Sequence, residues 1–214
     1  MTRRLFPFVA LVVVGCGAWG GTRAPTRPTQ EPDLDYPVGE FQLTDRGGKR
    51  VTDKDLRGQV WVASFVFTRC TGTCPAVTTA MQHLQRDLGG ELKGGKLKLV
   101  TFTVDPTHDD RRALNEYANA RGADPNHWLF LTGDEKTIHQ LLQERFKQAV
   151  TRNPDPGAPA GDLFDHGSRL VVVDGAGVIR AMYEGLPNRN DPDGQSKFDA
   201  GLVRLKERVR ELLK

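Results

Sequence analysis

The chain has 214 residues, of which 38% are hydrophobic and 27% charged, the balance of an ordinary globular chain with one domain and a tail. The formal charge of +3 falls by two if Arg3 and Arg4 leave with an export signal. No dense basic run with interleaved aromatics remains, which excludes nucleic acid as an expected partner.

The first element is that signal. Arg3 and Arg4 precede an apolar run from Leu5 to Val14, followed by Gly15 and Cys16. The run is too short to span a bilayer, which takes roughly 20 residues. "VVGC" is similar to a bacterial lipobox, in which cleavage falls before the cysteine and that cysteine carries the lipid. Residues 1–15 are therefore read as a lipoprotein-type signal peptide, with Cys16 as the lipidated residue and the domain outside the cytoplasm, on the periplasmic side in a Gram-negative cell. Residues 16–37, rich in Gly, Pro and Thr, read as a flexible tether holding the domain near the membrane.

The domain is expected over 38–214, as a monomer. "FQLTD" and "RVTDKDL" flank Gly47-Gly48, predicting an N-terminal hairpin that leads into a helical turn. Val60–Phe67 and Leu97–Val104 are nearly continuous apolar runs suited to strands buried on both faces. Between them, Pro75 fits the first turn of a helix, and Val77, Met81, Leu84 and Leu88 form its apolar stripe. A helix around Leu114 and Tyr117, the strand "WLFL" and a helix through Ile138, Leu141 and Leu142 follow. Residues 151–161 read as a Pro/Gly-rich loop. A closing hairpin turns at Asp174-Gly175, and the last helix carries Phe198, Leu202, Leu205, Val209 and Leu212. This order predicts an α/β fold, a central mixed sheet flanked by helices.

Chemistry concentrates in "FTRCTGTCP", residues 67–75. The two cysteines fall between a central strand and its following helix, at the carboxyl edge where open α/β sheets collect ligands. The helix N-terminus and Arg69 are expected to ease ionisation of both thiols. The residues alone leave a structural disulfide, a catalytic dithiol and half of a metal site open. In "DPTHDD", Asp109 or Asp110 suits a helix cap, and Asp105 falls on the active edge, where a carboxylate can pair with Arg69 or orient an imidazole.

"FVFTRCTGTCP", "FTVDPTHDD", "HWLFLTG" and "DHGSRLVVVDGAGVIR", in this order, resemble the Sco/SenC family, thioredoxin-fold proteins associated with copper delivery to cytochrome c oxidase. Many members have Pro directly after the first cysteine, where this chain has Thr71. The resemblance implies a thioredoxin-like fold and a copper site made by Cys70, Cys74 and His166; Asp105, from its place on the active edge, is read as supporting that site from behind. Two thiolates and one imidazole suit Cu(I), with Cu(II) as the other candidate and zinc as the competitor. His83, His108, His127 and His139 take ordinary structural readings, and Asp165 is a weaker neighbour of the site. The implied partners are the copper-receiving subunit of a cytochrome c oxidase and, through the Cys16 lipid, the membrane.

The implied role is a metallochaperone rather than an enzyme. The alternative is an extracytoplasmic thiol–disulfide oxidoreductase using Cys70 and Cys74 as its dithiol to reduce the oxidase subunit or other partners. A third reading, a peroxiredoxin-type peroxidase, rests on Thr68 lying two residues before Cys70.

Overall fold

The computed structural model describes residues 34–214. The expected signal peptide 1–15, Cys16 and most of the tether 16–37 lie outside the described residues.

In chain order the strands are β1 (Tyr36–Pro37), β2 (Gln42–Asp45), β3 (Arg50–Thr52), β4 (Val60–Val66), β5 (Leu97–Thr103), β6 (Trp128–Thr132), β7 (Val150–Arg152), β8 (Phe164–His166), β9 (Leu170–Val173) and β10 (Val178–Tyr183). The helices are α1 (Cys74–Asp87), α2 (Gly89–Lys93), α3 (Arg111–Ala120), α4 (Glu135–Gln140) and α5 (Gly194–Leu212). Eight strands form one sheet in the order β1-β10-β9-β4-β5-β6-β2-β3. Strands β4, β5 and β6 run parallel, and β9 lies antiparallel to β4, so the sheet is mixed as expected.

The centre is parallel because α1 and α3 carry the chain back across the sheet between successive strands. Every residue of β4 is buried, which explains its nearly continuous apolar run. Phe65, Phe102, Phe146 and Trp61 form the aromatic heart of the core, with Phe65 and Phe146 ring centroids 5.2 Å apart. The expected stripe on α1 is buried, with Val77, Met81, Leu84 and Leu88 each no more than 1% exposed. On α5, Leu202, Leu205 and Val209 face the core while Phe198 and Leu212 lie at its border.

The N-terminal segment closes both edges of the sheet. The hairpin β2–β3 adds to β6 through Thr44–Thr132 and Asp45–Leu131, and a 3₁₀ turn at Asp53–Leu56 follows it. On the far edge, β1 pairs with β10 and the Leu34 N–H donates to the Arg180 carbonyl. Ordered pairing thus begins ahead of the expected boundary at residue 38, because the β10 edge offers unpaired backbone groups.

One expectation about the fold is corrected. The segment read as a loop over 151–161 begins inside β7, which pairs with β8 in a separate two-stranded sheet, Val150 opposite His166. Strands of three residues are too short to show a period, and their stability comes from Phe164, which is buried beneath the Arg152 guanidinium 4.7 Å from its ring. The β9–β10 hairpin turns at Asp174-Gly175 as expected, and its left-handed residue is Gly177, at φ 72°. Asp174 sets that turn by accepting from the Ala176 and Val178 N–H groups, both at 2.9 Å.

Candidate metal centre

Strand β4 delivers the chain to the carboxyl edge at Val66, and Phe67 opens a turn closed by the Cys70 N–H donating to the Phe67 carbonyl at 3.1 Å. Thr71, Gly72 and Thr73 are exposed, and Cys74 begins α1 with Pro75 behind it. Because β9 runs antiparallel to β4, its starting end lies at that same edge, and β8 brings in His166 just before it. His166 therefore ends a short strand rather than sitting in a loop.

The donor atoms of Cys70, Cys74 and His166 all lie within 4.8 Å of one another, and both cysteines are free thiols. Cys74 Sγ is 3.2 Å from His166 Nε2. His166 Nδ1 lies 3.0 Å from the Gly167 carbonyl, an acceptor only, so Nδ1 carries the proton and Nε2 offers its lone pair to the cysteines. The imidazole stands edge-on to Phe67, with centroids 5.7 Å apart. Two sulfurs and one pre-oriented nitrogen form a soft, low-coordinate donor set, which suits Cu(I).

The thiols share the acidity unequally, against the expectation that both ionise easily. Cys70 drops from the usual 9.0 to about 4, first because Cys74 donates to it, and also through the backbone N–H groups of Cys74 and Gly72. Cys74 is pushed up, first because its proton is shared with Cys70, then by burial. The start of α1 thus serves Cys70, since the Cys74 N–H points at its sulfur. Arg69 is committed elsewhere: its Nη2 donates to Asp105 at 2.6 Å. Asp105 pairs with Arg69 as one of the two expected options, and its imidazole-orienting option is taken instead by the Gly167 carbonyl.

The remaining candidates separate cleanly. Asp110 caps α3 by accepting from the Ala113 N–H at 2.8 Å. Asp165 is exposed, opposite Thr151. His139 Nε2 meets the Val104 carbonyl at 2.7 Å, and His127 lies near Asp124. Among the described residues no other cluster of three such ligands forms. Asp109 was missed as anything but a cap. It is fully buried and accepts from the Thr68 N–H at 2.9 Å, from the Thr68 hydroxyl, and from the Thr103 hydroxyl at 2.6 Å. The available signal was a repeated Phe-Thr pair, Phe102-Thr103 closing β5 and Phe67-Thr68 just past the end of β4.

A thioredoxin-like sheet presenting two thiols and an imidazole at its edge defines a protein that binds a soft metal or exchanges disulfides. The family model described as SCO1/SenC matches residues 29–192, and the chain belongs to that family. It is 31% identical over 156 residues to the SCO1 protein homolog of Bacillus subtilis, covering 72% of this chain and 77% of that protein. Among solved structures it is similar to BsSco, a member of the Sco family of cytochrome c oxidase assembly proteins in which a disulfide switch was identified. That match has a TM-score of 0.68 and 28% identity, over 86% of this chain and 96% of that one. It is also similar to yeast Sco1 with copper bound, at a TM-score of 0.63 and 25% identity, over 84% and 90% of the two chains.

Proposed function

We propose that this chain is a copper chaperone: Cys70, Cys74 and His166 hold one copper ion, as Cu(I) in the resting carrier, and pass it to the copper-receiving subunit of a respiratory cytochrome c oxidase. The observation that carries this reading is the convergence of three soft-metal donors within 4.8 Å at an accessible sheet edge. The copper-bound yeast Sco1 and the oxidase-assembly role given for BsSco support it. Cys70 is half-buried beside an exposed loop, so a partner's ligand has a route to the ion. The test is anaerobic titration of the reduced protein with Cu(I) against a competing chelator. One tight equivalent that weakens in His166→Ala supports the carrier, and no tight binding overturns it.

The acidic Cys70 thiol favours a second reading, a dithiol reductant for the oxidase subunit. In that chemistry the Cys70 thiolate attacks a partner disulfide and expels one partner thiolate. Cys74 then closes an internal disulfide and releases the second. The peroxidase reading loses its motive, because the Thr68 hydroxyl is engaged by Asp109.

We further propose that the domain works outside the cytoplasm, tethered by a lipid on Cys16. The basic start, short apolar run and cysteine support this. Among the described residues no helix is long and apolar enough to cross a membrane. Mass analysis of the membrane fraction should find a diacylglyceryl group on an N-terminal Cys16, and an intact Met1 start sinks the proposal.

A further inference from the structure

Asp109 is 0% exposed, and no cation pairs with it among the described residues. Burial of a carboxylate without a counter-charge is costly, and it persists where the hydrogen bonds it receives do something the fold needs. Three donors converge on it, two of them from Thr68: the backbone N–H at 2.9 Å and the hydroxyl. The third, the Thr103 hydroxyl at 2.6 Å, itself accepts from the Asp105 N–H at 3.0 Å, which ties the carboxylate to the end of β5. One loop thus sends two aspartates to two consecutive residues, Asp109 to Thr68 and Asp105 to Arg69.

The next residue is Cys70. Its two sides differ in how they are held. Cys74 is buried at the start of α1 and carried by that helix. After Cys70 come Thr71, Gly72 and Thr73, all exposed; beyond the Gly72 and Cys74 N–H groups that face the sulfur, this loop is held by little, so the Cys70 backbone is fixed chiefly from the upstream side. Resting on the carrier reading, we infer that Asp109 is a positioning residue, whose grip on Thr68 sets Cys70 Sγ at the distance from Cys74 and His166 that copper requires.

The chemistry of the clamp supplies its own control. An asparagine at 109 can accept from the Thr68 N–H and the Thr103 hydroxyl with its oxygen while its amide donates to the Thr68 hydroxyl oxygen. Asp109→Asn therefore keeps the geometry and removes the charge, whereas Asp109→Ala removes both. Two measurements on the reduced full chain in detergent read the result: Cu(I) affinity by chelator competition, and the equilibrium for closing the Cys70–Cys74 disulfide in a glutathione buffer. The second reports the spacing of the sulfurs with no metal present.

Asp109→Ala should lose about tenfold in Cu(I) affinity, the lower end of what removing a ligand's supporting partner costs, with a parallel fall in disulfide closure. Asp109→Asn should stay within about threefold of the parent on both, the size of less than one net hydrogen bond. Parental values for a folded Asp109→Ala overturn the inference, and so does Asp109→Asn falling as far as Asp109→Ala, which makes the charge the active element. If Asp109→Ala fails to fold, Thr68→Val removes only the hydroxyl's bond; a loss of about threefold to tenfold in both readouts supports the clamp and no loss overturns it. Should the parent bind no copper, the carrier reading fails by itself, and disulfide closure still decides whether Asp109 positions Cys70.

Discussion

Cys74 Sγ and His166 Nε2 meet at 3.2 Å although 92 positions separate them in the chain. The contact depends on β9 running back along β4, so the imidazole is a donor that the sheet brings to a motif it is remote from.

This makes His166 the residue that separates the carrier from the reductant. The proposed carrier binds copper through all three donors, whereas disulfide exchange needs two sulfurs and an accessible mixed disulfide. His166→Ala should lose roughly tenfold or more in copper affinity, about 1.4 kcal/mol, while keeping much of any disulfide-reducing activity. Oxidase activity in cells carrying the variant checks the consequence: it should fail, and normal activity refutes the carrier.

The thiols give a signed pH dependence. Cys70 is a thiolate above about 4 in the fold and only above the usual 9.0 when unfolded. From about 4 up to 9.0 the unfolded chain binds the extra proton, so this group makes the reduced protein more stable as pH rises and less stable as pH falls toward about 4. Above 9.0 the raised Cys74 reverses the trend, since the fold retains a proton that the unfolded chain has released. Thermal melts of the reduced protein against Cys70→Ser should show this rise and fall. Alkylation at pH 6 should label Cys70 and spare Cys74, and equal labelling of both counts against the shared-proton picture.

Arg69→Ala leaves Asp105, 2% exposed, without its 2.6 Å partner. Breaking a fully buried pair costs about 3–5 kcal/mol, and the partly exposed guanidinium reduces that here to about 1–3 kcal/mol. Chemical denaturation measures it. Asp105→Asn should reduce copper affinity less than His166→Ala does, because Asp105 reaches the site through Arg69 rather than through the imidazole.

Gly185 is required by a close approach. A Cβ there would overlap the Ser168 carbonyl oxygen and stand 3.3 Å from Val77 Cγ2, so the loop after β10 is wedged between α1 and the segment following His166. Gly185→Ala should cost about 1–3 kcal/mol, as overpacking does. It should also weaken copper binding, since it pushes on both sides of the site. A variant with parental stability and affinity would show that the loop yields freely.

Much of this protein is legible along the chain because its signals are local. Nearly continuous apolar runs marked β4 and β5 since each is buried on both faces, and the stripe from Val77 to Leu88 marked α1 since a helix repeats every 3.6 residues. Cys70 and Cys74 announced themselves by spacing and by Pro75. What the tertiary structure decided has no local signature. Strands β7 and β8 are too short for a period and exist because Phe164 is covered by Arg152. Which thiol carries the charge depends on a proton shared between two sulfurs and on where the Cys74 N–H points. The division of "DPTHDD" into a partner for Arg69, a buried clamp on Thr68 and a helix cap depends on which carboxylate the turn after β5 faces inward. Three identical side chains within six residues read alike until the chain folds, because only burial and direction distinguish them.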